Sequence, residues 1–435
     1  MHLPKMLQNK VAKNAGWIVA GSLMNKVLAF FVSILTARYL GPSNYGLINY
    51  AAAYTTFFAS VCTLGINSVI VKNFVDHPDE EGKTIGTTLL LRAASSFLSA
   101  VAIVGIVCVM DQDEPLTIAV VTLYSLGLIF QIFDTFNYWF QSKLKSKYSA
   151  IASTIAYAIV SLYKIVLLVT GKSVLWFAVT NAIDYIVVAL LLYAAYRKNA
   201  GPKLGASKSK AKELLHTSSS FIISGLMVSV YASTDKLMLK QMLDEASVGY
   251  YSLASSFSMM WVFVLQAIID SMYPVIVQTR NTDRIAYERK NRQLYAIVFY
   301  VSVAMSTVIA LLAKPIFLIL YGAAYLPAVA PLRIIVWYTA FSYLGVARNA
   351  WMVCENQQCY LKYLYVSAAL INVLLNCLLI PCFGASGAAA ASLITQISTT
   401  TLLPAFIRPL RPNAKLMWEA MILKDVFPNK KRKGE

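Results

Sequence analysis

"LGPSNYGLINYAAAYTTFF", residues 40–58, sets a turn of Gly, Pro, Ser and Asn between two long apolar stretches. Gly and Pro interrupt a helix there because one tolerates unusual backbone angles and the other lacks an N–H donor. The flanking stretches, 14–37 and 44–70, each hold the roughly 20 apolar residues that a helix needs to cross a hydrocarbon core. The arrangement returns in the second half of the chain as "LDEASVGYYSLASSFSMMW", residues 243–261. The two stretches align without gaps, sharing the leading Leu, Gly46 with Gly249, and Ala51 with Ala254. At the same offset Leu23, Met24 and Val27 match Leu226, Met227 and Val230. A helical hairpin repeated in this order predicts two lobes related by a parallel repeat.

Composition agrees. The 435 residues are 58% hydrophobic and only 13% charged, with a mean hydropathy of +0.61. A water-soluble domain carries about 25% charged residues, so this chain is solvated mainly by lipid. Twelve candidate spans follow: 14–37, 44–70, 86–110, 116–140, 149–170, 173–196, 216–241, 247–277, 293–320, 328–354, 361–381 and 386–407. Backbone polar groups in lipid must be satisfied within the segment, and no ten-residue alternation of barrel strands occurs, so the spans are helices. The expected fold is an all-α polytopic membrane protein with twelve transmembrane helices. Residues 1–196 form an N-terminal six-helix lobe, 197–215 a cytoplasmic linker, 216–407 a C-terminal six-helix lobe, and 408–435 a basic tail. The tail's "KLMWEAMILKDVF" reads either as an interfacial segment on an anionic leaflet or as a disordered basic end.

The chain is strongly basic, with a formal net charge of +18. With the N-terminus inside, twenty-eight of the thirty-eight lysines and arginines fall in cytoplasmic segments, against three outside (Arg38, Lys172 and Lys240). By the positive-inside rule both termini are cytoplasmic, and the surplus is an orientation signal rather than a nucleic-acid footprint. The first apolar stretch is too long for a signal peptide. The six cysteines form no C-x-x-C, so neither a disulfide nor a zinc framework is expected. No G-x-S-x-G or H-E-x-x-H occurs, the three histidines lie near the cytoplasmic edge, and the outer connections are short. An enzyme is therefore not expected.

Ionisable residues within spans are costly unless they face a bundle interior or water. The basic ones are Lys26, Arg92, Lys164, Lys236, Lys314, Arg333 and Arg348; the acidic ones are Asp134, Asp184, Asp235 and Asp270. Lys26 stands about 18 Å from either end of its helix, too deep to snorkel, so it is expected to line a cavity, as are Arg92 and Arg348. Lys314 and Arg333 can reach the surface, and Lys164 with Asp184 reads as a structural pair. Asp235 lies about six residues from the outer end of the seventh span and Asn376 about five from that of the eleventh, with Asn372 on the same face. Ser392 and Thr395 enter the twelfth span at comparable depth. Oxygen atoms converging at one depth suit a hard cation, so Asp235, Asn372, Asn376 and Thr395 are the candidate Na⁺ or H⁺ site. The alternative is an Asp235–Lys236 or interhelical pair that only fixes packing.

Four stretches together carry a resemblance: "LTARYLGPSNYGLINYAAAYTTF" (35–57), "STDKLMLKQMLDEASVGYYSLASSF" (233–257), "LYGAAYLPAVAPLRII" (320–335) and "INVLLNCLLIPCFGASGAAAASLITQ" (371–396). In this order they resemble the O-antigen-type polysaccharide flippases of the multidrug/oligosaccharidyl-lipid/polysaccharide exporter superfamily. The resemblance implies a V-shaped pair of six-helix lobes around a central cavity. It also implies transfer of undecaprenyl-diphosphate-linked oligosaccharide from the cytoplasmic to the periplasmic leaflet of the bacterial inner membrane. A polysaccharide polymerase and a chain-length regulator are the implied protein partners, and no cofactor is implied beyond a Na⁺ or H⁺ coupling ion. On this reading Lys26, Arg92, Arg348 and Lys236 offer charge to the diphosphate, and Asn49 of the second span faces the sugar. Related flippases carry a cation site in the C-terminal lobe; here both eleventh-span positions are Asn, leaving one carboxylate. A cation-coupled multidrug exporter of the same superfamily is the alternative function, and it would favour acidic rather than basic cavity walls.

Overall fold

The computed structural model describes residues 5–426, with side chains except at 5–16, 18–23, 26, 27, 68, 220, 223, 224 and 281. Among the described residues every regular element is helical. The chain divides into two compact units, residues 1–233 and 234–435.

In unit 1, α1 (Lys5–Thr63) carries the first two expected spans and is broken at Gly41, whose φ of 72° only glycine adopts without strain, just before Pro42. After α2 (Asn67–Asp76) come α3 (Glu81–Met110), α4 (Pro115–Ser125), α5 (Gly127–Phe130), α6 (Asp134–Ser142), α7 (Lys147–Val169), α8 (Val174–Ala178) and α9 (Thr180–Lys198). The fourth span is thus a relay of short helices, α4 to α6. A core of Phe74, Phe136, Trp139, Phe140 and Tyr196 closes one end of the unit. There the Trp139 indole donates to Glu81 at 2.9 Å, and Lys143 pairs with the same carboxylate.

The segment 199–207 is not a free tether. It lies on α3: the Gly205 amide donates to the Gly82 carbonyl at 3.0 Å, and the Ser207 amide donates to Thr87 at 3.1 Å. A Cβ on Gly82 would stand 2.1 Å from the Lys203 carbonyl oxygen, and one on Gly86 2.0 Å from that of Gly205. Beyond it α10 (Lys208–Met242) starts in unit 1, where Lys210 meets Glu80 at 3.2 Å and Ser60 accepts or donates at Ser229 over 2.6 Å. For that reason the boundary between units falls within α10, at 233/234, and not at the polar linker 197–215.

Unit 2 takes the end of α10 and then α11 (Glu245–Ser258), α12 (Phe263–Thr282), α13 (Arg284–Leu320), α14 (Val329–Ile335), α15 (Tyr338–Cys354), α16 (Leu361–Phe383), α17 (Ala385–Ile397), α18 (Leu403–Phe406) and α19 (Arg411–Met421). Asp244 caps α11 by accepting from the Ser247 amide at 2.7 Å. Its core is built on Tyr287, Leu294, Tyr295, Trp351 and Met417.

Six helices or continuous helical runs are long and apolar enough to cross a membrane, and three bent pairs also pass, among the described residues. In the apolar windows of those six, only 28–33% of residues are buried. Side chains such as Val109 (74% exposed) and Val169 (82%) therefore face outward, where only lipid makes their exposure favourable. The helices overlap the twelve expected stretches, except that α2 runs past the second of them and α19 follows the last. Within each unit, connections assigned to one side by charge also touch: Lys145 donates to Asn199 in unit 1, and Arg284 to Glu355 in unit 2.

Candidate functional site

Four helices of unit 2 bring polar side chains to one depth. Tyr251 stands six residues into α11 (from Glu245), and Asp235 seven from the end of α10 (at Met242). Asn376 is seven from the end of α16 (at Phe383), and Ser392 seven into α17 (from Ala385). At 1.5 Å per residue all four lie about 10 Å inside the helical layer. The sequence "GASGAAAAS" makes the convergence possible. Gly384, at φ 59°, turns α16 into α17, and Gly387 lets α17 approach until a Cβ would stand 2.2 Å from the Leu379 carbonyl oxygen. Ala388, Ala389 and Ala391 keep that seam thin.

Asp235 is the hub, 4% exposed. Its Oδ1 accepts from Asn372 Nδ2 at 3.0 Å and from Asn376 Nδ2 at 2.7 Å. Its Oδ2 accepts from the Tyr251 hydroxyl and the Ser392 hydroxyl. Asn376 also donates to Asn372 Oδ1 at 3.1 Å. Four donors on one carboxylate offset much of what burying its charge costs. Two buried oxygens have no hydrogen-bond partner: Asn376 Oδ1 within the cluster, and Thr395 Oγ1, three residues along α17 from Ser392. Such orphans cost about 1–3 kcal/mol each. The set is entirely oxygen ligands plus amides that can turn their oxygen inward, a chemistry that fits Na⁺ or a proton and not a soft metal. Among the described residues no group of three or more His, Cys, Asp or Glu side chains stands together, consistent with a hub of one carboxylate.

Lys236 is half-buried and forms no direct salt bridge with Asp235 among the described residues, because neighbouring helix positions point about 100° apart; the two charges interact only across that separation. The interhelical hydrogen bonds take the place of a direct ion pair. The sequence does not single out Tyr251; its depth, which matches that of Asp235, is the available signal.

The other expected site residues are distributed differently. Lys26 belongs to α1, but its side chain lies outside the described residues. Arg92 is 2% exposed inside unit 1, donating to Asn67 and, at 3.1 Å, to Thr135, with its guanidinium over Tyr138. Arg348 is 6% exposed in unit 2, its Nη1 3.5 Å from the Thr399 carbonyl of a π-helical turn, Ser398–Leu402. Each arginine retains a buried Nε without an acceptor. Asn49 donates to the Tyr45 carbonyl one turn back at 2.9 Å, a local bond. Lys164 and Asp184 form no salt bridge among the described residues.

Unit 1 holds a cavity of about 620 Å³ between α1, α6, α7 and α9. Its polar wall includes Asn25, Asp134, Asn137, Gln141, Ser153 and Tyr157, and none of its described lining residues is basic. Asn25 donates to Ser153 across it at 3.5 Å. The cationic wall expected from Arg92 is therefore absent from this cavity: the guanidinium is turned into the helix packing, where its partners lie.

Residues 11–280, more than half of the chain, match the family model described as polysaccharide biosynthesis protein. No curated protein matches the sequence. Among solved structures, the lipid II flippase MurJ in an inward closed conformation superposes with a TM-score of 0.68 at 14% identity, covering 93% of this chain and 90% of that one. An inward-facing multidrug resistance MATE family transporter of the MOP superfamily gives 0.64 at 14% identity, over 90% of this chain and 94% of that one. The Vibrio cholerae MATE transporter VcmN in its bent form gives 0.54 at 11% identity, over 96% and 100%. At such identities the likeness establishes the fold.

Proposed function

This chain belongs to the polysaccharide biosynthesis protein family, and we propose that it is a flippase for a saccharide carried on undecaprenyl diphosphate. It is a multi-pass membrane protein of a transport fold and not an enzyme. The cargo moves from the cytoplasmic to the periplasmic leaflet of a bacterial inner membrane by alternating access, with both termini in the cytoplasm. The observation that carries this reading is the wall of the unit 1 cavity. Carboxamides and hydroxyls there offer paired donors and acceptors, which suit the hydroxyls of a glycan. Lys26, whose depth in the first span rules out snorkelling, is the cation this reading assigns to the diphosphate.

Asp235, Asn372, Asn376 and Thr395, joined by Tyr251 and Ser392, form the coupling site for Na⁺ or H⁺. An anionic headgroup leaving a negative interior already gains about 2.3 kcal/mol per charge per 100 mV. The ion therefore acts by favouring the conformation that accepts cargo, not by supplying the driving force for charge movement. A cation-coupled multidrug exporter is the second reading, and the specific observation in its favour is Asp134, an acid in the wall of the same cavity.

Deleting the gene should cause lipid-linked saccharide to accumulate in the inner leaflet. The wild-type chain should clear it, whereas Lys26→Ala, or Asn137→Ala with Gln141→Ala, should not. If those variants complement fully while Asp134→Asn abolishes resistance to cationic dyes, the exporter reading replaces the flippase.

A further inference from the structure

A second cavity, of about 580 Å³, opens at the basic end of unit 2. It shares no lining residue with the Asp235 cluster and is bounded by the N-terminal parts of α13 and α19, by Ala405 of α18 and by Trp351 of α15. Four cations line it, Arg284, Arg292, Arg411 and Lys415, against one lining acid, Glu288. Arg284 is held by Glu355 at 2.6 Å, and Arg292 by Glu419 at 2.7 Å. Lys415 reaches Glu419 only at 4.0 Å, and Arg411 donates its Nε to the Ala405 carbonyl at 3.0 Å and forms no ion pair among the described residues. Arg411 therefore carries charge that no carboxylate pairs among the described residues, and Lys415 has only a long contact to a carboxylate it shares with Arg292. Trp351, only 2% exposed, closes the cavity as a buried side chain. The first turn of α19, the positive end of its dipole, lines it with Arg411, Pro412, Ala414 and Lys415.

The setting selects the kind of anion. The chain bends by 104° between 385–406 and 408–421, so α19 leaves the direction of the last span and runs across it. Its inner face, with Leu416, Met417 and Ala420, is buried in unit 2, and Asn413 donates to the Tyr295 hydroxyl at 2.7 Å. Its outer face repeats at helical spacing as Arg411, Lys415, Trp418 (45% exposed) and Ile422 (72%). Cations, an indole and an aliphatic side chain in one stripe are what a helix in the interface plane presents to lipid.

We propose that this cavity binds the phosphodiester headgroup of an anionic phospholipid from the surrounding bilayer. Arg411 and Lys415 hold the phosphate oxygens, and Trp418 and Ile422 lie along its acyl chains. The site is separate from the path of the cargo, and the flippase reading does not depend on it.

The test uses the full chain, purified in neutral detergent and titrated with phosphatidylglycerol or phosphatidylcholine, with bound lipid counted by native mass spectrometry. Phosphatidylglycerol should bind and phosphatidylcholine should not. The double variant Arg411→Gln, Lys415→Gln should bind it about twenty-five-fold more weakly, at about fivefold per cation near an anionic surface. Both positions are exposed, and an unchanged unfolding temperature confirms that the variant folds. Lys362→Gln, an exposed lysine that does not line the cavity, should bind like wild type. Equal binding of the two lipids, or full binding by the double variant, overturns the proposal. So does displacement by millimolar inorganic phosphate, which marks a free-anion site, or by undecaprenyl diphosphate in preference, which marks a cargo site.

Discussion

Replacing Asp235 by Asn tests the centre of unit 2 while keeping its shape. The carboxylate accepts four hydrogen bonds, two on each oxygen. A bond to a charged group contributes about 1.5–3 kcal/mol and a neutral one about 0.5–1.5. Removing the charge therefore weakens the four by about 4 kcal/mol in total. In the other direction, a buried carboxylate no longer has to be stripped of water, which relieves a penalty of several kcal/mol. The amide also suits its neighbours: its oxygen keeps the Asn372 and Asn376 donors, and its NH₂ faces two hydroxyls, Tyr251 and Ser392, that can rotate to accept. The net change in stability is about 1–2 kcal/mol, and the variant folds. Ion binding, by contrast, is lost with the charge. The assay is the unfolding temperature of the purified chain in Na⁺ against K⁺ at equal ionic strength, repeated across a pH series. An ion present at a hundred times its dissociation constant adds about 2.7 kcal/mol to wild type. Wild type should gain stability in Na⁺ or, if the coupling ion is H⁺, change with pH by more than the variant does; Asp235→Asn should lose the Na⁺ response and keep only the pH dependence that other groups such as Glu80 supply. A variant that keeps the wild-type response refutes the coupling role and leaves the cluster as a packing lock.

Three further outcomes follow from the packing. Gly387→Ala places a methyl 2.2 Å from the Leu379 carbonyl oxygen; prying α16 from α17 should cost about 1–3 kcal/mol, read as a lower unfolding temperature and a weaker Na⁺ or pH response. Gly82→Ala should displace the segment 199–207 from α3, since its methyl would meet the Lys203 carbonyl oxygen at 2.1 Å, and limited proteolysis should then cut this segment faster than in wild type. The Glu80 carboxyl is held below its ordinary value by the hydrogen bond and then the charge of Lys210. Its contribution is therefore present above the ordinary Glu range and lost as pH falls through the lowered value. The stability gap between wild type and Glu80→Gln should stay constant from about pH 6 to 9 and narrow toward about pH 4; a gap that widens on acidification would contradict the sign.

The candidate cation site is unusually legible in the sequence. Helix rise is uniform, so counting residues from the shared end places Asp235, Asn376 and Ser392 in one layer before any contact is known, and a hydrophobic core forces such oxygens together. Tyr251 obeys the same count, but a tyrosine in a span has an equally good reason to sit at an interface. The arginines are less legible. Their depth says only that they avoid lipid, and both a cavity and a pocket of hydroxyls and carbonyls satisfy that requirement. Arg92 found Asn67, Thr135 and Tyr138, and Arg348 found a π-turn carbonyl.

From the sequence alone came the solvent, the number and order of the spans, the sidedness expected of their connections and the turn at Gly41. Each depends on local chemistry: apolar length against bilayer thickness, backbone satisfaction within a segment, and the bias of Lys and Arg. Tertiary structure alone decided which polar groups meet across helices, that α10 splits between two compact units, and that residues 199–207 are bound and not loose. The reason is that side-chain direction around a helix and the close approach allowed by Gly82, Gly86 and Gly387 depend on neighbours distant in the chain, which periodicity cannot reveal.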